Sequence, residues 1–66
     1  MNLSVYEIFN LKNILVGEAL EYEDGVAVVK YYDYKFPTIY NNLDILIDDL
    51  GAEHYLIKSK LIIVNK

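Results

Sequence analysis

Leu3-Ser4-Val5-Tyr6-Glu7-Ile8-Phe9-Asn10-Leu11-Lys12 is the stretch on which the fold turns. Ser4 followed three residues later by Glu7 has the form of a capping box. The Ser4 hydroxyl would accept from the Glu7 N–H, and the Glu7 carboxylate would reach back to Ser4. Leu3 and Ile8 stand where a hydrophobic staple closes a helix entry. Val5, Ile8, Phe9 and Lys12 share one helical face, and Asn13 follows as a stop. The spacing predicts a short helix over residues 3–12.

Residues 14–36 read as a β-hairpin around Glu23-Asp24-Gly25. A three-residue loop with Gly25 left-handed pairs Tyr22 with Val26, Leu20 with Val28, Glu18 with Lys30, Val16 with Tyr32 and Ile14 with Tyr34. That register is preferred over a two-residue Asp-Gly turn, which sets Val16 against Asp33 and Ile14 against Lys35. Pro37 ends the hairpin. Thr38 then caps a helix through Leu50, with Asn42 as an alternative start one turn later and Gly51 as its stop. Ile39, Leu43, Leu46, Ile47 and Leu50 form its apolar stripe. Residues 52–65 alternate as a strand signal that Lys58-Ser59-Lys60 either bends or turns into a second hairpin; with no Gly, Asn or Pro there, one long bent strand is preferred. Leu61-Ile62-Ile63-Val64 is apolar on both faces, which suits a central or interface strand better than an exposed edge. The expected fold is α+β, in the order α-β-β-α-β: a three-stranded, mainly antiparallel sheet with two short helices on one face.

A chain of 66 residues allows one domain, residues 1–66. It has no Cys, which removes disulfides, thiol chemistry and zinc knuckles. No apolar run approaches the ~20 residues of a membrane helix. Met1-Asn2-Leu3-Ser4 does not look like a secretory leader. A domain this small is marginal alone. Together with a 55% hydrophobic composition, this points to a homodimer, with Leu61, Ile62, Ile63 and Val64 as its interface.

The catalytic inventory is thin. His54 is the one histidine, and it reads as a partly exposed strand or loop residue rather than a base. Ser4 and Thr38 are better explained as caps. No triad, phosphate-binding glycine loop or calcium loop is present. One His beside Asp48 or Asp49 makes a poor metal site. The expectation is no enzyme, no cofactor and no metal.

Charge placement is the most informative feature. The net charge of −4 hides an acidic middle. Residues 17–53 carry nine acids and two lysines, whereas residues 54–66 carry three lysines and no acid. There is no arginine, so direct nucleic-acid binding is not expected. Glu18, Glu21, Glu23 and Asp24 surround the hairpin tip, and Asp44, Asp48, Asp49 and Glu53 follow the second helix. Carboxylates at i,i+4 on a helix lie ~5–6 Å apart and at i,i+2 on a strand ~6.8 Å apart. Duplex DNA carries one phosphate per ~3.4 Å of axis on each strand. Two acidic rows, doubled by a dimer, would offer a protein a phosphate-like array.

These acids, with Asp33 and the interspersed tyrosines, give the chain a class-level resemblance to small acidic bacteriophage host-takeover proteins of the DNA-mimic type. That resemblance implies an inhibitor in the cytoplasm of a bacterial host cell. Its target would be the nucleic-acid-binding surface of a basic host protein. The expected partner-binding residues are Glu18, Glu21, Glu23, Asp24, Asp33, Asp44, Asp48, Asp49 and Glu53, with Tyr31 and Tyr40 adding interface aromatics. The alternatives are an assembly subunit that pairs through its last strand and a small ligand-binding regulatory domain.

Overall fold

The chain opens with a strand. In the computed structural model, which describes residues 1–63, β1 runs Asn2–Asn10, β2 Leu15–Tyr22, β3 Ala27–Tyr31 and β4 Thr38–Tyr40. One helix, α1, spans Leu43–Leu50, and a 3-10 turn at Gly51–Glu53 leads into β5, His54–Ile63. The strands make a five-stranded antiparallel sheet in the order β4-β3-β2-β1-β5. The expected three-stranded sheet with two helices is therefore corrected to a mostly β fold with one short α-helix.

The reason lies in β1. Val5, Tyr6, Ile8 and Phe9 are β-branched or aromatic, and such side chains suit a pleated surface. An isolated ten-residue helix is marginal in water. As a strand, the same segment gains a ladder on each side, with β2 and with β5. Ser4 and Glu7 then belong to opposite faces, so the capping box cannot form. The element stops at Asn10 rather than at Asn13, which lies in the connection to β2. The φ of Asn13 is +63°, and the Asn10 side chain accepts from the N–H groups of Lys12 and Ile14.

The β2–β3 hairpin takes the expected register: Leu20 faces Val28 and Glu18 faces Lys30. The three-residue loop closes with Tyr22 N–H donating to Val26 and Gly25 N–H to Tyr22, both at 2.9 Å. Gly25 is left-handed at φ +98°. The hairpin is shorter than expected. β3 ends at Tyr31, so Ile14 and Tyr34 lie outside the strands. Thr38 caps no helix; it stands in β4, opposite Val29. The helix starts one turn later, where the Asn42 carboxamide oxygen accepts from Ile45 N–H at 2.9 Å. Gly51 ends it at φ +64°.

The core sits between α1 and one face of the sheet. Ile8, Ala19, Ala27, Val29, Leu46 and Leu50 are buried there, with Tyr6, Val16, Tyr31, Tyr40, Leu43 and Leu56 packed around them. Ala19 and Ala27 leave room beneath the helix, between larger sheet residues such as Ile8 and Tyr31. Gly17 is also buried, and a Cβ on it would lie 2.6 Å from the Lys30 carbonyl oxygen. That close approach requires glycine whatever its backbone angles.

β5 is one long strand, as expected, and it bends where expected. Its pairing with β1 shifts so that Tyr6 faces Lys58 and Val5 faces Lys60. Ser59 is left between them, and its hydroxyl donates to the Val5 carbonyl at 3.1 Å. β5 is an edge strand, however, not a central one. Leu61, Ile62 and Ile63 lie exposed at its end, and Val64 lies outside the described residues.

Candidate functional site

The acidic residues do not form one array. Strand alternation sends Glu18 to the bare face of the sheet, next to Glu7 on β1 and Lys30 on β3. Glu21 points to the helix side, where its carboxylate accepts from the Tyr6 hydroxyl at 2.9 Å. Burial and that carboxylate raise the Tyr6 phenol above its ordinary value. Glu23 lies 3.8 Å from the Met1 ammonium and accepts from Asn2 N–H at 3.0 Å. Asp24 accepts from Val26 N–H at 3.1 Å and fixes the hairpin turn. Asp49 accepts from the Tyr40 hydroxyl at 2.5 Å. That bond, then burial and the nearby charge, push the phenol up to about 12.

Four of the nine singled-out acids are thus occupied within the fold. Glu18, Asp33, Asp44, Asp48 and Glu53 are exposed. They make no hydrogen bond or ion pair with another described residue. Asp44 stands in the first turn of α1 and favours the helix dipole, whereas Asp48 and Asp49 near its end oppose it. Tyr31 and Tyr40 are half-buried and pack against the core.

The structure brings together a second set of residues. Val16, Tyr31, Asp33, Tyr34 and His54 line an open cleft of about 500 Å³ beside the C-terminal end of α1. Tyr31 is its floor. The Tyr34 ring meets it edge-on at 6.1 Å, and the His54 ring at 6.3 Å. Burial, then the Asp49 charge and Tyr34, raise the Tyr31 phenol above its ordinary value. A second carboxylate therefore acts on this corner besides Asp33. No lysine lines the cleft.

Local sequence carried no signal for this cluster. His54 opens β5, Tyr31 closes β3, and Val16 sits at the irregularity where Ile8 faces Gly17 but Phe9 faces Leu15. Only the sheet order and the turn after β3 make them neighbours. Among the described residues, no three His, Cys, Asp or Glu side chains converge on a possible metal position. No helix among them is long and apolar enough to cross a membrane. Compared with known proteins, the chain matches no family model, no curated protein and no solved structure.

Proposed function

We propose that this chain is a non-enzymatic binding protein whose exposed helix-side carboxylates occupy a basic, nucleic-acid-binding surface of a partner. One observation supports this most. None of the ten acidic side chains forms an ion pair with a described lysine. A carboxylate already paired within the fold must first be stripped of its partner, which costs much of the Coulomb gain. Unpaired carboxylates such as Asp44 and Asp48 keep that gain for the partner and steer its approach. The resemblance to phage host-takeover proteins favours a bacterial host protein, met in the cytoplasm, as the target.

The test is capture of partners from a bacterial lysate, followed by competition. The bound protein should be a nucleic-acid binder, should release as salt rises, and should be displaced by duplex DNA. Asp44→Lys with Asp48→Lys should abolish capture while leaving the fold intact. Asp49 is left alone in this variant because it holds Tyr40. Capture that withstands both high salt and competing DNA defeats the proposal.

A second reading is assembly with another copy of this chain, and the free edge of β5 favours it. Ile57, Leu61, Ile62 and Ile63 are 48%, 52%, 37% and 65% exposed along that edge, which leaves unpaired backbone available for strand addition. Charge favours a second copy as the occupant. The bare face carries Glu7 and Glu18 against Lys30 and Lys60, so two copies meet there without net repulsion. An antiparallel pair centred on Leu61 sets Lys60 opposite Ile62 of the second copy and keeps the lysines apart. Light scattering should then give twice the 7.7 kDa chain mass, and Leu61→Lys should return it to one. A monomer at all concentrations removes this reading.

A further inference from the structure

We propose that the cleft between Tyr31, Tyr34 and His54 is a cation site that takes the guanidinium of an arginine side chain on a protein partner. This deepens the acidic-binder reading and rests on it, because it names the group on the basic partner that would be anchored. The walls decide the ligand class. Tyr31, Tyr34 and His54 line the cleft together with Asp33, whose carboxylate has no partner among the described residues. The Asp49 charge is felt at Tyr31 from the adjoining helix. No lysine lines the site to attract an anion.

Aromatic faces hold cations through the ring quadrupole, and a desolvated cation gains most. Among biological cations, the guanidinium is planar and weakly hydrated. It stacks on a tyrosine face while donating two parallel hydrogen bonds to a carboxylate. An ammonium is a compact, strongly hydrated charge and makes poorer use of the rings. A cleft of about 500 Å³ lies within the usual range for ligand sites. Its open mouth admits a side chain still attached to a polypeptide. Tyr31 and Tyr34 stand nearly perpendicular to each other, so the cleft offers a guanidinium aromatic surface in two orientations.

The experiment is an NMR titration of the full chain with three blocked tripeptides: Gly-Arg-Gly, Gly-Lys-Gly and Gly-citrulline-Gly. Citrulline keeps the planar shape of arginine and removes its charge. The arginine peptide should move the ring signals of Tyr31, Tyr34 and His54 together, and the other two should bind about tenfold more weakly. Asp33→Asn and Tyr34→Ala should each weaken the arginine peptide several-fold. Both residues are exposed, and an unchanged amide spectrum will show that the fold survives. Equal binding of the citrulline peptide would mean that shape alone is read, and would overturn the proposal. Equal binding of the lysine peptide, or no movement of the Tyr31 and Tyr34 rings, would overturn it too.

A poly-lysine titration separates this failure from failure of the wider reading. If poly-lysine shifts the amides of Asp44 and Asp48 while the arginine peptide leaves the cleft unmoved, the cleft assignment falls and the acidic-binder reading stands. If poly-lysine leaves those amides unmoved while the arginine peptide fills the cleft, the acidic helix surface is excluded and the cleft remains.

Discussion

The two faces of the sheet are built from the same strands but treat side-chain size in opposite ways. Under the helix, β2 and β3 present Gly17, Ala19, Ala27 and Val29, and α1 lowers Leu46 and Leu50 onto them. On the bare face, the same strands present Leu20, Tyr22 and Val28, flanked by Leu3, Val5 and Phe9 from β1 and by Tyr55, Ile57 and Ile62 from β5. Phe9 and Tyr55 stack there at 5.4 Å, and the Tyr55 hydroxyl reaches Asn13 at 2.6 Å. Val5 is only 6% exposed although no second layer covers it. Large neighbours lying across one another do what the helix does on the other side. Apolar character is present on both faces, so it does not decide which one the helix covers. What the covered face has and the bare face lacks is Gly17, Ala19 and Ala27, which leave room for Leu46 and Leu50.

Leu46→Ala should break the covered face outright. Leu46 is fully buried, and the lost transfer energy plus the cavity cost about 2–5 kcal/mol, a large share of what holds so small a domain together. Leu20→Ala on the bare face removes the same atoms from a half-buried place, and its loss should stay below about 1.5 kcal/mol. Urea unfolding of the two variants measures the difference directly. Similar losses would mean that the bare face is as well covered as the other, as a second copy would make it. Gly17→Ala should come next. Its Cβ must displace backbone at Lys30, an overpacking cost of about 1–3 kcal/mol. Asn42→Ala should cost about 1 kcal/mol through the lost helix cap. Both act only on the covered side, so neither should change the self-association expected of β5.

Part of this architecture was legible where neighbouring side chains decided between the readings a local signal allowed. Asp24-Gly25 set the hairpin register, because opposite-charge and apolar pairs agree in one alignment and conflict in the other. Gly51 marked the end of the helix, whereas its start falls at the alternative cap Asn42 and not at Thr38. Lys58-Ser59-Lys60 marked the bend in β5. The failure at residues 3–12 has a physical cause. A Ser-x-x-Glu spacing is compatible with a helix cap, yet Val5, Tyr6, Ile8 and Phe9 gain more from two ladders than from one helical stripe. That gain comes from residues as distant as Ile63 and Tyr22, which no local window contains. The error cost a central strand and misplaced β5. The acidic residues were identifiable by composition, but their sides were not, because sidedness depends on strand parity and on where the helix lies. The aromatic cleft depends wholly on long-range placement and left no trace in spacing.

The Tyr40–Asp49 bond joins the edge strand β4 to the helix, and it gives the covered face a pH signature. The folded phenol is raised to about 12, against about 10 in an unfolded chain. The native state therefore holds a proton that the unfolded state releases, and stability must fall as pH rises between those two values. Below pH 10 the contribution is fully present; through pH 12 it is lost. Tyr6 and Tyr31 are raised in the same direction, so all three resolved shifts lie on the helix side and add. Urea midpoints recorded from pH 9 to 12 should fall for the parent chain, and less steeply for Tyr40→Phe, which has no phenol proton at that position. The effect is the smallest of those considered, since Asp49 is exposed and water screens its charge. Equal slopes for the parent and Tyr40→Phe would show that β4 is held to α1 by packing alone, with the hydrogen bond a bystander.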